Sequence, residues 1–180
     1  MNRLQRALCL STGVALATLT AGCLSIPHLV LRHHDIEPRR VGDPQAPPAV
    51  LIASRDSEFK RAVVERVAVA LKEDGIGVKI RGVKRLDKEE SAEPYAAVVL
   101  LNRCMSWSMD YAVRRFIRHN PRHDRIIVLT TSAPGDWTPP RRRGDFDAIS
   151  AASEMSRVEQ VADDILAKVR MRLGSDSTGS

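Results

Sequence analysis

The sequence predicts a single α/β domain, spanning residues 49–174, in which a parallel sheet is covered on both faces by helices. Three runs, Ala49–Ala53, Tyr95–Leu101 and Arg125–Thr130, are almost continuously apolar. They lack the polar alternation of a half-exposed strand, so both faces of each must be buried. Amphipathic helical segments alternate with them, the pattern of a parallel sheet with right-handed crossovers.

The first run ends in the polar turn Ser54-Arg55-Asp56-Ser57, which offers two N-cap residues. Phe59, Val63, Val67, Ala70 and Leu71 recur at helical spacing, and Gly75 closes that helix. Ile76–Val83 reads as a second strand. Leu86–Pro94 is charged and fits a short helix or a loop. After the strand Tyr95–Leu101 and the loop Asn102–Ser108, a second helix is built on Met109, Ala112, Val113, Phe116 and Ile117, and Asn120-Pro121 ends it. The strand Arg125–Thr130 leads into a long Pro- and Arg-rich loop, Thr131–Gly144. Phe146–Ser150 fits a final strand. Ser156 and Glu159 have the spacing of a capping box for a last helix that buries Val158, Val161, Ala162, Ile165, Val169 and Leu173. Gly174 is expected to end it, leaving residues 175–180 as a disordered tail.

Ahead of the domain, Arg3 and Arg6 precede an apolar and small-residue run, Ala7–Thr20, too short for an ordinary spanning helix. It leads into Leu19-Thr20-Ala21-Gly22-Cys23. Small residues before the cut suit a peptidase site, and the cysteine supplies a thiol that accepts diacylglycerol. A plain secretory leader or an uncleaved anchor would share the apolar run but would not need the cysteine. This segment resembles the lipobox of bacterial lipoproteins. The resemblance implies a signal peptide over residues 1–22 and a mature chain starting at lipidated Cys23, carrying palmitate. It places the protein in the cell envelope, on the outer side of the cytoplasmic membrane. Leu24 rather than Asp after the cysteine implies release to the outer membrane in a diderm. Residues 23–48 contain Pro27, Pro38, Pro44, Pro47 and Pro48 and read as a semi-extended tether. His28, His33, His34 and Asp35 lie in it without a scaffold that would space metal ligands, so no metal site is expected.

Composition narrows the function classes. Apolar residues at 43% and charged residues at 28% are those of a globular chain. With aromatics at 4%, the core must come from Val, Ile, Leu and Ala. The formal charge is +6, of which Arg3 and Arg6 supply part. Of the three cysteines, Cys9 leaves with the signal and Cys23 takes lipid, so Cys104 has no partner for an internal disulfide. The basic stretch Arg114, Arg115, Arg118, His119, Arg122, His123 and Arg125 has no interleaved aromatics. In an exported chain it fits solvent, lipid head groups or a protein partner, and nucleic acid is not expected. No Gly-x-Ser-x-Gly nucleophile elbow is present, and no residue set identifies a reaction.

Val50–Ser54 followed at once by a helix, Tyr95–Leu101 followed by a polar loop and a helix, and Arg125–Ser132 together resemble the flavodoxin family from Ala49 to Leu173. The resemblance implies a three-layer sandwich with strand order 2-1-3-4-5 and FMN at the carboxyl edge of the sheet. It assigns Ser54, Arg55 and Ser57 to the phosphate turn. Trp107 and Trp137 fall in the two loops that hold the flavin ring in that family. The turn departs from the family pattern: it has no Gly, and Asp56 and Glu58 bring negative charge. Two functions stay open on these residues. One is an FMN-binding electron-transfer module beside a membrane, with a redox partner. The other is a flavin-less binding or scaffolding lipoprotein. Asp147–Ser153 also resembles, with Ala151 in place of Gly, the signature at which exported proteins receive covalent FMN on a hydroxyl, here Ser153. The same small residues equally serve as a spacer before the last helix.

Overall fold

The structure is a computed structural model and describes residues 34–104, 107–139 and 145–176. The chain divides into two compact units, Met1–His33 and His34–Ser180. The described residues all belong to the second. The signal, Cys23, His28, His33, Arg141–Arg143 and residues 177–180 lie outside them.

Among the described residues the strands and α-helices follow one another in this order. They are β1 (Arg39–Val41), β2 (Val50–Ser54), α1 (Glu58–Glu73), β3 (Val78–Gly82), α2 (Leu86–Glu89), β4 (Ala97–Arg103), α3 (Tyr111–His119), β5 (Ile126–Thr131), β6 (Asp147–Ala151) and α4 (Val158–Asp176). The strands form one six-stranded sheet in the order β1-β3-β2-β4-β5-β6. Strands β2 to β6 are mutually parallel, and among themselves they run 2-1-3-4-5, as expected.

Successive residues of a strand point to opposite faces, and here both faces are apolar. Val50, Ile52, Val99, Leu101, Ile127 and Leu129 meet Val63, Val67 and Leu71 of α1 and Val161, Ile165 and Val169 of α4. Leu51, Ala53, Val98, Leu100 and Val128 meet Val113, Phe116 and Ile117 of α3 on the other face. Each fully buried Val, Leu or Ile contributes about 1.5–3 kcal/mol, so this double layer accounts for the unbroken apolar runs. Helix α1 stops where expected: Gly75 takes φ +77, and the amides of Gly75 and Ile76 bond Lys72 O and Leu71 O at 3.0 and 2.8 Å. That pairing is a Schellman cap.

The structure corrects three expectations. The tether was expected to reach Pro48, but from His34 the chain belongs to the folded unit. Ile36 is buried in the core on the α1 side. Arg39–Val41 forms β1, antiparallel to β3. Prolines oppose helix, yet they flank a short edge strand without removing one of its donors. Ser156 does not cap the last helix; it sits in the 3₁₀ turn Met155–Arg157, and α4 starts after it. Gly174 does not end α4, which continues to Asp176; a helical backbone there leaves glycine's left-handed freedom unused.

Candidate functional site

At the carboxyl edge of the sheet, where an open α/β fold offers a ligand crevice, the chain's own N-terminal segment crosses the ends of β2 and β3. Ile36 N donates to Ser54 O at 3.3 Å, and Asp56 N donates to His34 O at 2.8 Å. Between these bonds Asp35 forms an isolated bridge with Arg55. The Arg55 Nη1 donates to Asp35 Oδ1 at 2.9 Å, while Nε and Nη2 donate to Asp110 Oδ2 at 3.0 and 2.9 Å. The other Asp35 oxygen accepts the Lys84 amide at 2.8 Å. A Cβ on Gly82 would overlap that oxygen, so only glycine leaves room for the carboxylate.

Asp110 is fixed in turn. Its amide donates to Asn102 Oδ1 at 2.8 Å, and its carboxylate caps α3 by accepting the Ala112 amide at 2.9 Å. Asn102, fully buried at the end of β4, also reaches Thr130 of β5 through its amide nitrogen. A chain of polar contacts therefore runs from the N-terminal strap through Arg55 and Asp110 to the ends of β4 and β5.

The expected phosphate ligands are all engaged otherwise. Ser54 is fully buried, and its hydroxyl donates to Arg55 O at 2.7 Å. Ser57 is the N-cap of α1 and accepts the Lys60 amide at 3.3 Å. Asp56 holds Arg61 through both carboxylate oxygens. The helix N-terminus, the feature that would attract an anion, already carries the Ser57 cap and Glu58 in its first turn, with Asp56 just before it. FMN phosphate does not fit this turn: a carboxylate stands on its arginine, and the Asp56 amide is spent on His34.

Behind the turn lies Lys60, 3% exposed. Burial first, and then the Arg103 charge, lower its pKa to about 8; Asp110 opposes the shift, and Arg55 adds to it. Arg55, Lys60 and Arg103 thus gather beside Asp35 and Asp110 at one sheet edge.

The two tryptophans differ in role. Trp107, in the loop after β4, is 75% exposed and has φ +59. Trp137, in the loop after β5, is half-buried against the apolar cluster of Val98, Leu100 and Phe116. Its carbonyl accepts the Ser150 hydroxyl at 2.8 Å. Trp137 packs on the core, whereas the Trp107 ring stands mostly in solvent. Cys104 is a free, half-buried thiol. Asp147–Ala151 of the flavinylation-like segment is strand β6, and Asp147 is held by Arg172 and Lys168; Ser153 is exposed just beyond it. Among the described residues no cluster of His, Cys, Asp and Glu could hold a metal, and no helix is long and apolar enough to cross a membrane.

Sequence reasoning missed Asp35, Lys60, Gly82 and Asp110. Lys60 had a signal: it shares a helical face with Val64, Val67 and Leu71, at spacings of four, seven and eleven. Asp110, just before an amphipathic run, had the N-cap signal. Asp35 had none, because its partners come from two distant segments, Arg55 and the Gly82–Lys84 stretch.

No family model matches the sequence, and no curated protein does. Solved structures match by fold. Oxidised flavodoxin 2 from Bacillus cereus aligns with 70% of this chain and 99% of its own at 12% identity, with a TM-score of 0.50. A flavodoxin from the domain Archaea aligns with 69% of this chain and 99% of its own at 13% identity, with a TM-score of 0.46. The chain has a flavodoxin-like fold; at this identity the likeness speaks for fold alone.

Proposed function

We propose that the protein is a lipid-anchored component of the bacterial cell envelope whose flavodoxin-like domain serves as a binding or scaffolding module. The anchor rests on the leader that ends in Leu19-Thr20-Ala21-Gly22-Cys23. The absence of FMN held in the flavodoxin manner rests on one observation. The Asp35 carboxylate lies on Arg55 and the Lys84 amide, where the fold would otherwise offer an anion its partners. An internal anion covalently joined to the chain outcompetes a free one at ordinary concentrations, because no translational freedom is lost when it binds.

A second reading, an FMN electron-transfer module, is favoured by the exposed ring of Trp107, a surface on which a planar ligand can stack. In that reading the phosphate would be held outside the Ser54–Ser57 turn. The visible absorption spectrum of protein purified from its own host separates the two, together with calorimetric titration with FMN. A colourless protein that gives no heat with FMN is expected. A flavin band retained through purification would reject the binding-module reading.

A further inference from the structure

Trp107 combines two costs. Its φ of +59 is left-handed, which disfavours a bulky L residue by roughly 1–2 kcal/mol, and its ring is 75% exposed, so little core packing offsets the strain. An outlier of this kind points to a use for the side chain. Close by in sequence, Tyr111 opens α3 and is 60% exposed. The guanidinium carbons of Arg114 and Arg115 lie 5.4 and 5.7 Å from the centroid of its ring. An exposed tyrosine ring carrying two half-buried cations, four residues after an exposed tryptophan, gives this segment groups suited to the lipid headgroup layer.

The chain enters the folded unit beside this surface. His34 is bonded to Asp56, and Asp35 is tied through Arg55 to Asp110, which stands between Trp107 and Tyr111 in sequence. From Cys23 to His34 an extended chain reaches at most ~40 Å. A lipid on Cys23 therefore keeps this edge of the sheet within that distance of a bilayer.

We propose that Trp107, Tyr111, Arg114 and Arg115 form a docking surface for anionic phospholipid. The aromatic rings enter the headgroup layer, the guanidinium groups meet lipid phosphates, and the carboxyl edge of the sheet faces the membrane. The inference rests on the lipid-anchor reading and adds an orientation to it. A short tether alone would leave the domain free to turn; the docking surface fixes which edge faces the bilayer and which is offered to the envelope space.

The test uses full-length protein processed in its host, carrying Trp137→Phe so that Trp107 is the sole reporter. It is reconstituted in vesicles of phosphatidylglycerol and phosphatidylcholine in equal parts, with and without bromine near the glycerol end of the acyl chains. Intact mass reads the anchor independently. The expected result is a lipidated mass, with Trp107 emission shifted to shorter wavelength, quenched by brominated lipid and restored by added salt. Arg114→Gln and Arg115→Gln should each lower the docked-to-undocked ratio by about fivefold, the worth of one cation at an anionic surface. The salt titration needs no arginine variant and so holds even if one folds poorly. A lipidated protein whose Trp107 emission is that of water-exposed indole, unquenched, overturns the docking and leaves the anchor standing. A mass without lipid overturns the anchor reading, and the docking falls with it.

Discussion

Asp35 and Asp110 share one guanidinium: Arg55 gives its Nη1 to the first and its Nε and Nη2 to the second. The three side chains are each about one-quarter exposed or less, so solvent screens these pairs less than it would a surface ion pair. The arrangement joins the incoming N-terminal strap to the start of α3 across the end of β2.

That clamp depends on the missing side chain at position 82. Gly82→Ala should push Asp35 out, since the added methyl would overlap its carboxylate. We expect a loss of about 1–3 kcal/mol in urea unfolding, the scale of a displaced charge-assisted hydrogen bond. Hydrogen exchange should quicken at the amides of Asp56 and Lys84. Unchanged protection at both amides would show that the strap does not depend on this contact.

Lys60 sets a pH dependence. Its pKa is about 8 in the folded state against the ordinary 10.5. Between those values the unfolded chain binds the proton that the folded chain lacks, so stability rises with pH across the window. Below about pH 8 both states are charged, and the full penalty persists. Lys60→Met keeps the buried stem without the charge. It should stabilise the protein by about 2–3 kcal/mol at neutral pH, with the advantage fading as pH rises toward 10.5. Denaturant melts of both proteins across that range measure it; a gap that does not change with pH would refute the assignment.

Removing the Trp107 side chain should leave the fold intact. Trp107→Gly suits the left-handed backbone, and the ring is mostly in water. The expected change in unfolding free energy is within about 1 kcal/mol. A loss of several kcal/mol would mean that the ring packs where the structure shows it exposed.

Gly75 is a cap of the ordinary kind. Gly75→Ala forces a Cβ into φ +77 with open space around it, so strain acts without a clash. A loss of about 1 kcal/mol is expected from thermal or urea unfolding. No loss would indicate that the Schellman cap rearranges without cost.

Maturation is the remaining prediction. Labelled palmitate should enter through Cys23, and Cys23→Ser should accumulate as unprocessed precursor; normal processing of the serine variant would remove the anchor from the proposal. Intact mass should show no FMN-sized increment on Ser153.

Much of the fold was legible because burial on two faces leaves a local mark. Val50–Ser54, Ala97–Arg103 and Ile126–Thr131 each open on a continuous apolar run and are buried at nearly every position, and the helices between them carry a single apolar face, so the parallel order could be read without coordinates. Boundaries slipped where the signal was local chemistry that tertiary contacts overrode. Gly174 sits inside α4, and Ser156 sits in a 3₁₀ turn.

The sequence by itself determined the alternation of strand and helix, the apolar composition of both core layers and the cap at Gly75. Each is written in neighbouring residues. Only the tertiary structure decided what becomes of the phosphate turn. Ser54, Arg55 and Ser57 have the right side chains for an anion, and their neighbours in sequence say nothing of Asp35 or Asp110. A charge is satisfied by whatever group lies within a few ångströms in space. For Arg55 those groups come from the strap before β1 and the start of α3, which the folded sheet alone brings to the end of β2.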